Sequence, residues 1–447
     1  MTSNIKLACV MVGLPARGKT FISYKVSRYL QWLGIKTKVF DVDDYQRKLK
    51  NILYHQDHCE LSETTAEKQV LDDMLDWFQL DDNKTKATMS GTVAIYDGTN
   101  ITKAKRKWIH DTLNNKNVQV LFVESQCDDD NLIRENIRNV KLSPTIMQQE
   151  KAIDDYLAYV NKHKDTYETM TEPDYTYIKL INAGQQYVIN LVRGYLESRI
   201  VYYLINLNIK KKRIWLSRHG ESQFNVQDRI GGDADLSPRG EEYARKLPSL
   251  ISKHIGDELP LTVWTSTMKR TNQTARYIKY PKKQWKALDE LDTGVCDGMT
   301  YDEIAKKYPE DFIQRDQDKF NFRYSGGESY RDLVLRLEPV IMELEQHERI
   351  LIIAHQATIR CLYAYFMNLD HEQLPYARVP LHTLIELTPT AYNCEEKLYK
   401  ADIESVDTYR PKFAGVENAK KSSNKTSGVS GEIIDSSEPI LPLSPHP

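Results

Sequence analysis

Two short stretches of this chain carry residue types at spacings that suit phosphate chemistry. The first is Gly13-Leu14-Pro15-Ala16-Arg17-Gly18-Lys19-Thr20, which fits G-x-x-x-x-G-K-[ST]. It follows the apolar run Lys6–Val12 and opens a stretch of helical spacing, Lys19–Leu33. That strand–loop–helix setting is what the motif requires. Its glycines let backbone N–H groups turn inward around phosphate oxygens, and a helix N-terminus adds partial positive charge. Lys19 is placed to reach β/γ-phosphates, and Thr20 to hold Mg²⁺. A second acidic element is expected at a neighbouring strand end, and Asp97 fits, following Thr92–Tyr96. An Asp there orders Mg²⁺ or accepts a hydroxyl proton. The bland alternative is an N-cap for a helix starting near Lys103.

The second stretch is Arg218-His219-Gly220-Glu221-Ser222, at the end of the apolar run Ile214–Ser217. A neutral imidazole is a good nucleophile near pH 7, and its phospho-adduct is labile to water. The attacked group carries negative charge on several oxygens, so guanidinium groups are needed around it. Arg218 is adjacent. Arg270 lies just past the run Leu261–Thr265, and His355 follows the all-apolar run Ile350–Ala354. A leaving alkoxide needs a proton, and Glu290 in Leu288-Asp289-Glu290-Leu291-Asp292 is the candidate carboxylate. Singly, each has an ordinary reading: a satisfied polar residue or a surface charge. Jointly they describe a phosphohistidine site.

The elements that position these groups alternate. In the first half Lys6–Val12, Lys36–Phe40, Thr92–Tyr96 and Val118–Glu124 read as buried strands. Helical spacing lies between them over Lys19–Leu33, Ala66–Phe78 and Lys103–Leu113, and the apolar runs Tyr175–Ile181 and Tyr187–Leu191 follow. Such alternation predicts an α/β fold with a parallel sheet covered on both faces. A second alternation starts after the basic run Lys210–Arg213, itself read as a solvated hinge. It comprises strands at Ile214–Ser217, Leu261–Thr265 and Ile350–Ala354, and helices over about 238–253, 269–277 and 330–346. The expected division is 1–209, 210–409 and a tail from 410 to 447 rich in Ser, Lys, Gly and Pro, read as disordered. In open α/β sheets, ligands sit at converging strand ends, which is where His219, Arg270 and His355 would meet.

Composition narrows the function classes. The 447 residues suit about three domains, or two large ones. Lys+Arg number 61 and Asp+Glu 63, a formal net charge of −2, so no global basic excess exists to hold a nucleic acid. No apolar run approaches the ~20 residues of a membrane span, and the N-terminus is not read as a signal peptide. Six scattered cysteines without a CxxC pair suit a reducing, cytoplasmic setting.

A phosphate-loop half followed by an Arg-His-Gly-Glu half resembles the 6-phosphofructo-2-kinase/fructose-2,6-bisphosphatase family over about residues 5–408. The second half resembles the wider histidine phosphatase, or phosphoglycerate-mutase-like, superfamily. The resemblance implies that His219 accepts the phosphoryl group. Arg218, Asn225, Arg270 and His355 would surround the 2-phosphate, and Glu290 would protonate the sugar oxygen. It further implies that Gly231, Tyr301, Arg315, Lys319, Tyr330, Gln356 and Arg360 bind the phosphate and sugar parts of the substrate. On the nucleotide side it implies Gly13, Ala16, Arg17, Gly18, Lys19, Thr20, Asp97, Thr99, Asn100 and Lys141 for ATP, with Thr20 and Asp97 on Mg²⁺. The phosphatase half would need no cofactor. The implied partners are fructose-2,6-bisphosphate, fructose-6-phosphate and ATP, with a homodimer as the assembly.

The first half departs from the family where the sugar phosphate would sit. The family's Tyr-Arg-Arg reads Tyr45-Gln46-Arg47. An arginine expected before Lys68-Gln69 is Glu67, and another after Asn100 is Lys105. An Arg-Ile-x-x-Tyr-Glu stretch reads Tyr159-Val160-Asn161-Lys162-His163-Lys164. Gly-Ser-Pro-Asp-Tyr is reduced to Leu142-Ser143-Pro144-Thr145. Replacing Arg by Glu removes a charge-assisted contact to a dianion and adds repulsion; each such loss costs about 2–5 kcal/mol. The expected activity is therefore a fructose-2,6-bisphosphatase with weak or lost kinase activity. The alternatives are a fully bifunctional enzyme, a non-catalytic nucleotide- and sugar-phosphate-binding regulator, and a histidine phosphatase that acts on another phosphoester.

Overall fold

The apolar runs of the first half become the strands of one sheet. In the computed structural model these are β1 (Lys6–Val12), β2 (Lys36–Asp41), β3 (Thr92–Asp97), β4 (Gln119–Gln126), β5 (Tyr177–Ile181) and β6 (Gln186–Asn190). The structure describes residues 5–52, 61–82, 91–129, 133–134, 137, 157–158, 160, 163–208, 212–256, 260–390 and 393–412. The strand order is β2-β3-β1-β4-β5-β6, parallel except for the antiparallel edge strand β6. β1 lies centrally, and six of its seven residues are buried, as a strand covered on both faces must be. Its chain connects towards β2 and β3 on one side, while β4 lies on the other. The loop leaving β1 thus opens at the point where strand order reverses, the position that favours ligands.

The second sheet contains β7 (Arg213–Arg218), β8 (Thr262–Thr265), β9 (Lys282–Gln284), β10 (Arg349–Ala354), β11 (Thr383–Pro389) and β12 (Cys394–Lys400), in the order β12-β11-β7-β10-β8-β9. β7, β10 and β8 are parallel neighbours, with Ala354 opposite Arg218 and Ile353 opposite both Ser217 and Thr265. This register brings His219, His355 and Ser266 out at one edge. β11 runs antiparallel to β7 and to β12. Helices Pro238–His254 and Tyr330–Gln346 start at Ser237 and Ser329, whose hydroxyls accept N–H groups of Gly240 and Asp332. Helix Lys269–Ala275 is two residues shorter than its spacing suggests, and helix Leu61–Asp82 extends well beyond Ala66–Phe78.

The two halves share one hydrophobic core. The helix Lys19–Trp32, which opens at the phosphate loop, buries its later turns against the second half. Tyr29 stacks on Tyr203 with centroids 4.5 Å apart, and its hydroxyl donates to Glu338 at 2.5 Å. Trp32 Nε1–H donates to the Cys361 carbonyl at 2.9 Å. Lys25 pairs with buried Glu345 at 3.2 Å. Lys212 also pairs with Glu345 and is buried, so this part of the basic run is not a solvated hinge. Two buried lysines there satisfy one buried carboxylate, which also accepts the Tyr365 hydroxyl. The described residues up to Tyr409 form one compact unit. Among the described residues, no helix is long and apolar enough to cross a membrane.

Candidate functional site

The second half brings His219, Arg218, Arg270 and His355 together at the ends of β7, β8 and β10, all four buried. The two imidazoles have ring centroids 5.3 Å apart. His219 Nδ1 lies 2.7 Å from the Gly220 carbonyl oxygen. A carbonyl only accepts, so Nδ1 carries the proton and Nε2 the lone pair. His355 has the opposite tautomer. Its Nδ1 accepts from Arg270 Nε at 3.2 Å, so Nε2–H donates to Ser266 Oγ at 2.7 Å, and that hydroxyl meets Thr271 Oγ1 at 2.8 Å. Burial, reinforced by the Arg270 and Arg218 charges, holds both imidazoles well below the usual histidine range. His219 is therefore neutral at physiological pH.

Arg218 donates from Nη1 to the Val379 carbonyl (3.1 Å) and the Thr408 hydroxyl (2.8 Å), and its Nε has no partner among the described residues. Burial pushes its pKa down to about 9; Glu290 opposes the shift, while Arg360 and Arg270 add to it. The group stays cationic at neutral pH, beside two further guanidinium groups. Arg270 Nη1 donates to the Gly232 carbonyl at 2.6 Å. Gly231 precedes it at φ +71°, and a Cβ there would stand 1.9 Å from Asp297 Oδ1, so only glycine fits. Asn225 serves a capping box: its Oδ1 accepts the N–H and hydroxyl of Ser222 at 3.0 Å each.

Glu290 sits at the N-terminus of helix Gln356–Met367. Its Oε2 accepts the Gln356 N–H and its Oε1 those of Ala357 and Leu291, all within 3.1 Å. This places the carboxylate directly beside His355, the residue that precedes the helix. The loop is held from behind by Arg336, which donates to the carbonyls of Ala287, Asp289 and Glu290 and forks onto Glu328 at 2.9 Å. Thr358 Oγ1 donates to the Asp289 carbonyl, and Asp289 accepts from Thr267 N–H, both within 2.9 Å.

A second cationic group borders this pocket. Arg360, buried, donates to the Tyr330 hydroxyl (3.1 Å) and the Ala377 carbonyl (2.8 Å). Arg315, also buried, donates to the hydroxyls of Tyr324 (2.9 Å) and Tyr301 (3.1 Å). The Lys319 ammonium lies 4.6 Å from the Tyr376 ring centroid. Tyr376 is within electrostatic range of both Arg315 and Arg360, so the three cations converge on it. Gln356 Nε2 donates to the Thr408 carbonyl at 3.5 Å. Arg270, Arg315 and Arg360 are thus not surface charges. Tyr376, Arg336, Ser266 and Glu221 were not visible as site residues in the sequence. Tyr376 sits in a connection with no motif, and the others act through contacts distant in the chain.

In the first half the loop has the conformation a phosphate needs. Gly13 has φ +135°, with a would-be Cβ 2.5 Å from the Ser125 carbonyl oxygen, and Gly18 N-caps the helix in the left-handed region. Ala16 shares that region at φ 59°. Lys19 Nζ lies on the Leu14 carbonyl at 2.8 Å, and burial lowers its pKa to about 8, with Asp97 opposing. Arg17 Nη1 donates to the Pro15 carbonyl at 3.3 Å. Asp97 is not the N-cap of helix Lys103–Asn114: Thr102 fills that role. Burial raises the Asp97 carboxyl to about 6 against the pull of Lys19 and Thr20, and its Oδ2 has no partner among the described residues. Thr99 O accepts the Gly13 N–H at 2.9 Å, and Asn100 Nδ2 donates to the Met11 carbonyl at 2.7 Å. Glu67 and Lys105, two of the departures from the family pattern, pair with each other, both largely buried. Arg47 pairs with Asp44 on the exposed surface. Lys141, Leu142–Thr145, Tyr159, Asn161, Lys162 and the tail from 413 lie outside the described residues.

The fold and site define an α/β phosphate-loop domain joined to a histidine phosphatase. Residues 1–211 match the 6-phosphofructo-2-kinase family model, and residues 214–402 that of the histidine phosphatase superfamily, branch 1. A fructose-2,6-bisphosphatase of Saccharomyces cerevisiae is 49% identical over 425 residues, covering 92% of each chain. A 6-phosphofructo-2-kinase/fructose-2,6-bisphosphatase of Aquarana catesbeiana is 45% identical, covering 93% of this chain and 89% of that protein. The human 6-phosphofructo-2-kinase/fructose-2,6-bisphosphatase 1 is 44% identical, covering 93% and 88%. The chain belongs to the 6-phosphofructo-2-kinase/fructose-2,6-bisphosphatase family.

Proposed function

We propose that this protein hydrolyses the 2-phosphate of fructose-2,6-bisphosphate, and that its first half binds nucleotide but captures fructose-6-phosphate weakly or not at all. The observation that carries the reading is a contrast of charge. Arg218 and Arg270 act directly on His219, Arg360 lies in range of Arg218, and Arg315 (paired with Asp316) and Lys319 gather about Tyr376, whereas Lys105 is paired with Glu67.

His219 Nε2 attacks the 2-phosphorus in line, forming an N–P bond as the bond to the sugar oxygen breaks. Arg218, Arg270 and His355 stabilise the transferring charge, and their positions are set before substrate arrives. Glu290 gives its proton to the departing oxygen; Oε2, with one N–H partner, keeps the lone pair that carries it. Water then attacks phosphohistidine, and Glu290 takes the water proton. Phosphate leaves, and Nε2 regains its lone pair. Arg315, Lys319 and Arg360 hold the second phosphate and the sugar, with Tyr301, Tyr330 and Gln356 among their neighbours. Asn225 and Gly231 shape the loop that carries the 2-phosphate.

The first half fits a magnesium nucleotide. The Gly13–Thr20 cradle would take the phosphates, and Thr20 with the orphaned Asp97 Oδ2 the metal. When bound, the ion would supply charge neutralisation between phosphates. β6, an edge strand among the described residues, carries exposed Ile189 with exposed Leu191 just beyond its end, and an edge of this kind can pair with a second copy, consistent with a homodimer.

The test is direct assay of both reactions. Wild type should release phosphate from fructose-2,6-bisphosphate. His219→Ala protein given ATP and fructose-6-phosphate should accumulate little fructose-2,6-bisphosphate; appreciable accumulation would instead support a bifunctional enzyme.

A further inference from the structure

Glu221, the last residue of Arg218-His219-Gly220-Glu221, has no part in the transfer scheme, yet its side chain is fully buried. Oε1 accepts from Ser237 Oγ at 2.7 Å and from Arg239 Nε at 2.9 Å. Oε2 accepts the backbone N–H of Val406 at 2.9 Å. Val406 lies beyond β12, in a segment without regular secondary structure and past residue 402, where the histidine phosphatase match ends. Two residues later this segment returns to the site. Thr408 Oγ1 accepts from Arg218 Nη1 at 2.8 Å, and the Thr408 carbonyl accepts from Gln356 Nε2 at 3.5 Å. Asp407 lies within electrostatic range of the same guanidinium, and its Oδ1 accepts the Tyr409 N–H at 2.8 Å. Arg378 reaches Asp407 at 3.8 Å and lies 5.1 Å from the Tyr409 ring centroid.

We infer that residues 406–409 are a working part of the phosphatase site, and that Thr408 is a positioning residue that aims Arg218 at the phosphoryl group. The inference rests on the reading of Arg218 as a phosphate ligand. A guanidinium on a flexible stem is useful to a transition state only when its orientation is fixed beforehand. Two acceptors on Nη1, Val379 O and Thr408 Oγ1, fix that orientation and leave Nε without a partner among the described residues. Glu221 ties the segment back to the loop that carries His219. The nucleophile, the arginine and the segment that orients it are thereby held in one hydrogen-bonded ring.

The test uses the full chain with Thr408→Val, which keeps the shape and removes the acceptor, and Thr408→Ser, which keeps the acceptor. Thr408→Ala is a second probe of the same loss. The readouts are kcat/KM on fructose-2,6-bisphosphate and inhibition by inorganic phosphate, with thermal melting as the control for folding. Losing a hydrogen bond to a charged group should lower kcat/KM by about tenfold or more in the Val and Ala proteins and weaken phosphate inhibition by a similar factor. The Ser protein should stay within about threefold of wild type, since its hydroxyl still accepts from Nη1. Wild-type values in both Val and Ala proteins would overturn the inference. So would a Ser protein that falls as far as they do, because the effect would then be packing. Should wild type fail to hydrolyse this bisphosphate, the proposed function fails separately. Calorimetric binding of inorganic phosphate would then read the same three variants.

Discussion

The two candidate phosphate sites of this molecule handle charge in opposite ways. At the sheet edge of the second half, the buried guanidinium groups of Arg218 and Arg270 stand beside the two imidazoles, which burial and those charges hold neutral. At the loop of the first half, Asp97 and Asp43 face one lysine, and the carboxyls of Asp97 and of its neighbour Asp41 are driven towards neutrality instead, to about 6 and about 7. The largest cause is burial in both places; what differs is the sign of the neighbours. Buried guanidinium groups beside neutral imidazoles fit a phosphoryl anion. A lysine facing carboxylates fits a phosphate that arrives with its own cation. The first half adds a further contrast, since Glu67 and Lys105, two departures from the family pattern, pair with each other.

The strongest way to sharpen this contrast is Glu290→Gln. Its amide oxygen can still accept the N–H groups of Ala357 and Leu291, while the NH2 group replaces the oxygen that meets Gln356 N–H and gives no acid proton to the leaving oxygen. Loss of a general acid should lower kcat by about 10²–10⁴-fold with little change in KM. Equal losses in binding and turnover would remove the acid role. Arg270→Ala strips one guanidinium and releases His355 from its tautomer, and kcat/KM should fall by about 10²–10³-fold. Lys19→Met should weaken ATP binding about tenfold or more in an equilibrium titration while phosphatase turnover stays near wild type. A parallel fall in phosphatase activity would show that the halves are not separable. The paired change Glu67→Arg with Lys105→Arg should raise fructose-6-phosphate affinity about tenfold, read by calorimetry, if the missing charge is what limits capture.

The pH responses should also oppose each other. Asp41 and Asp97 bind protons more tightly folded than unfolded. Their contribution to stability is therefore full at acid pH and is lost as pH rises through about 6 to 7. His219 and His355 bind protons less tightly folded than unfolded, so their contribution is full above about pH 6.5 and is lost on acidification. Carboxyl ¹³C and imidazole ¹⁵N titrations of the native protein should find the aspartates changing state near neutrality and both imidazoles neutral at pH 6. Imidazoles that titrate at 6.5 would contradict the buried cationic pocket.

Much of this was legible in the chain. β1 and helix Tyr330–Gln346 have the limits their apolar pattern suggests, because each buries a continuous face. The strand-end histidines and the phosphate loop were legible because motif and element coincide. Strands β9 and β12 were not: Lys282–Gln284 is wholly exposed, and Cys394–Lys400 is a charged edge without an apolar period. The basic run misled, since nothing local reveals that Lys212 meets Glu345 across 133 residues. The same holds for Arg336, Tyr376 and Thr408. Their roles arise from contacts between distant segments, and no spacing rule registers those.

The account stands on the transfer of phosphorus to one ring nitrogen. Protein should be mixed with fructose-2,6-bisphosphate labelled at the 2-phosphate, quenched within a turnover and examined for covalent label. Wild type should carry acid-labile, base-stable label at His219, Glu290→Gln protein should label slowly, and His219→Ala protein should carry none and release no phosphate. Phosphate release by His219→Ala at the wild-type rate, or label on any other residue, would contradict it.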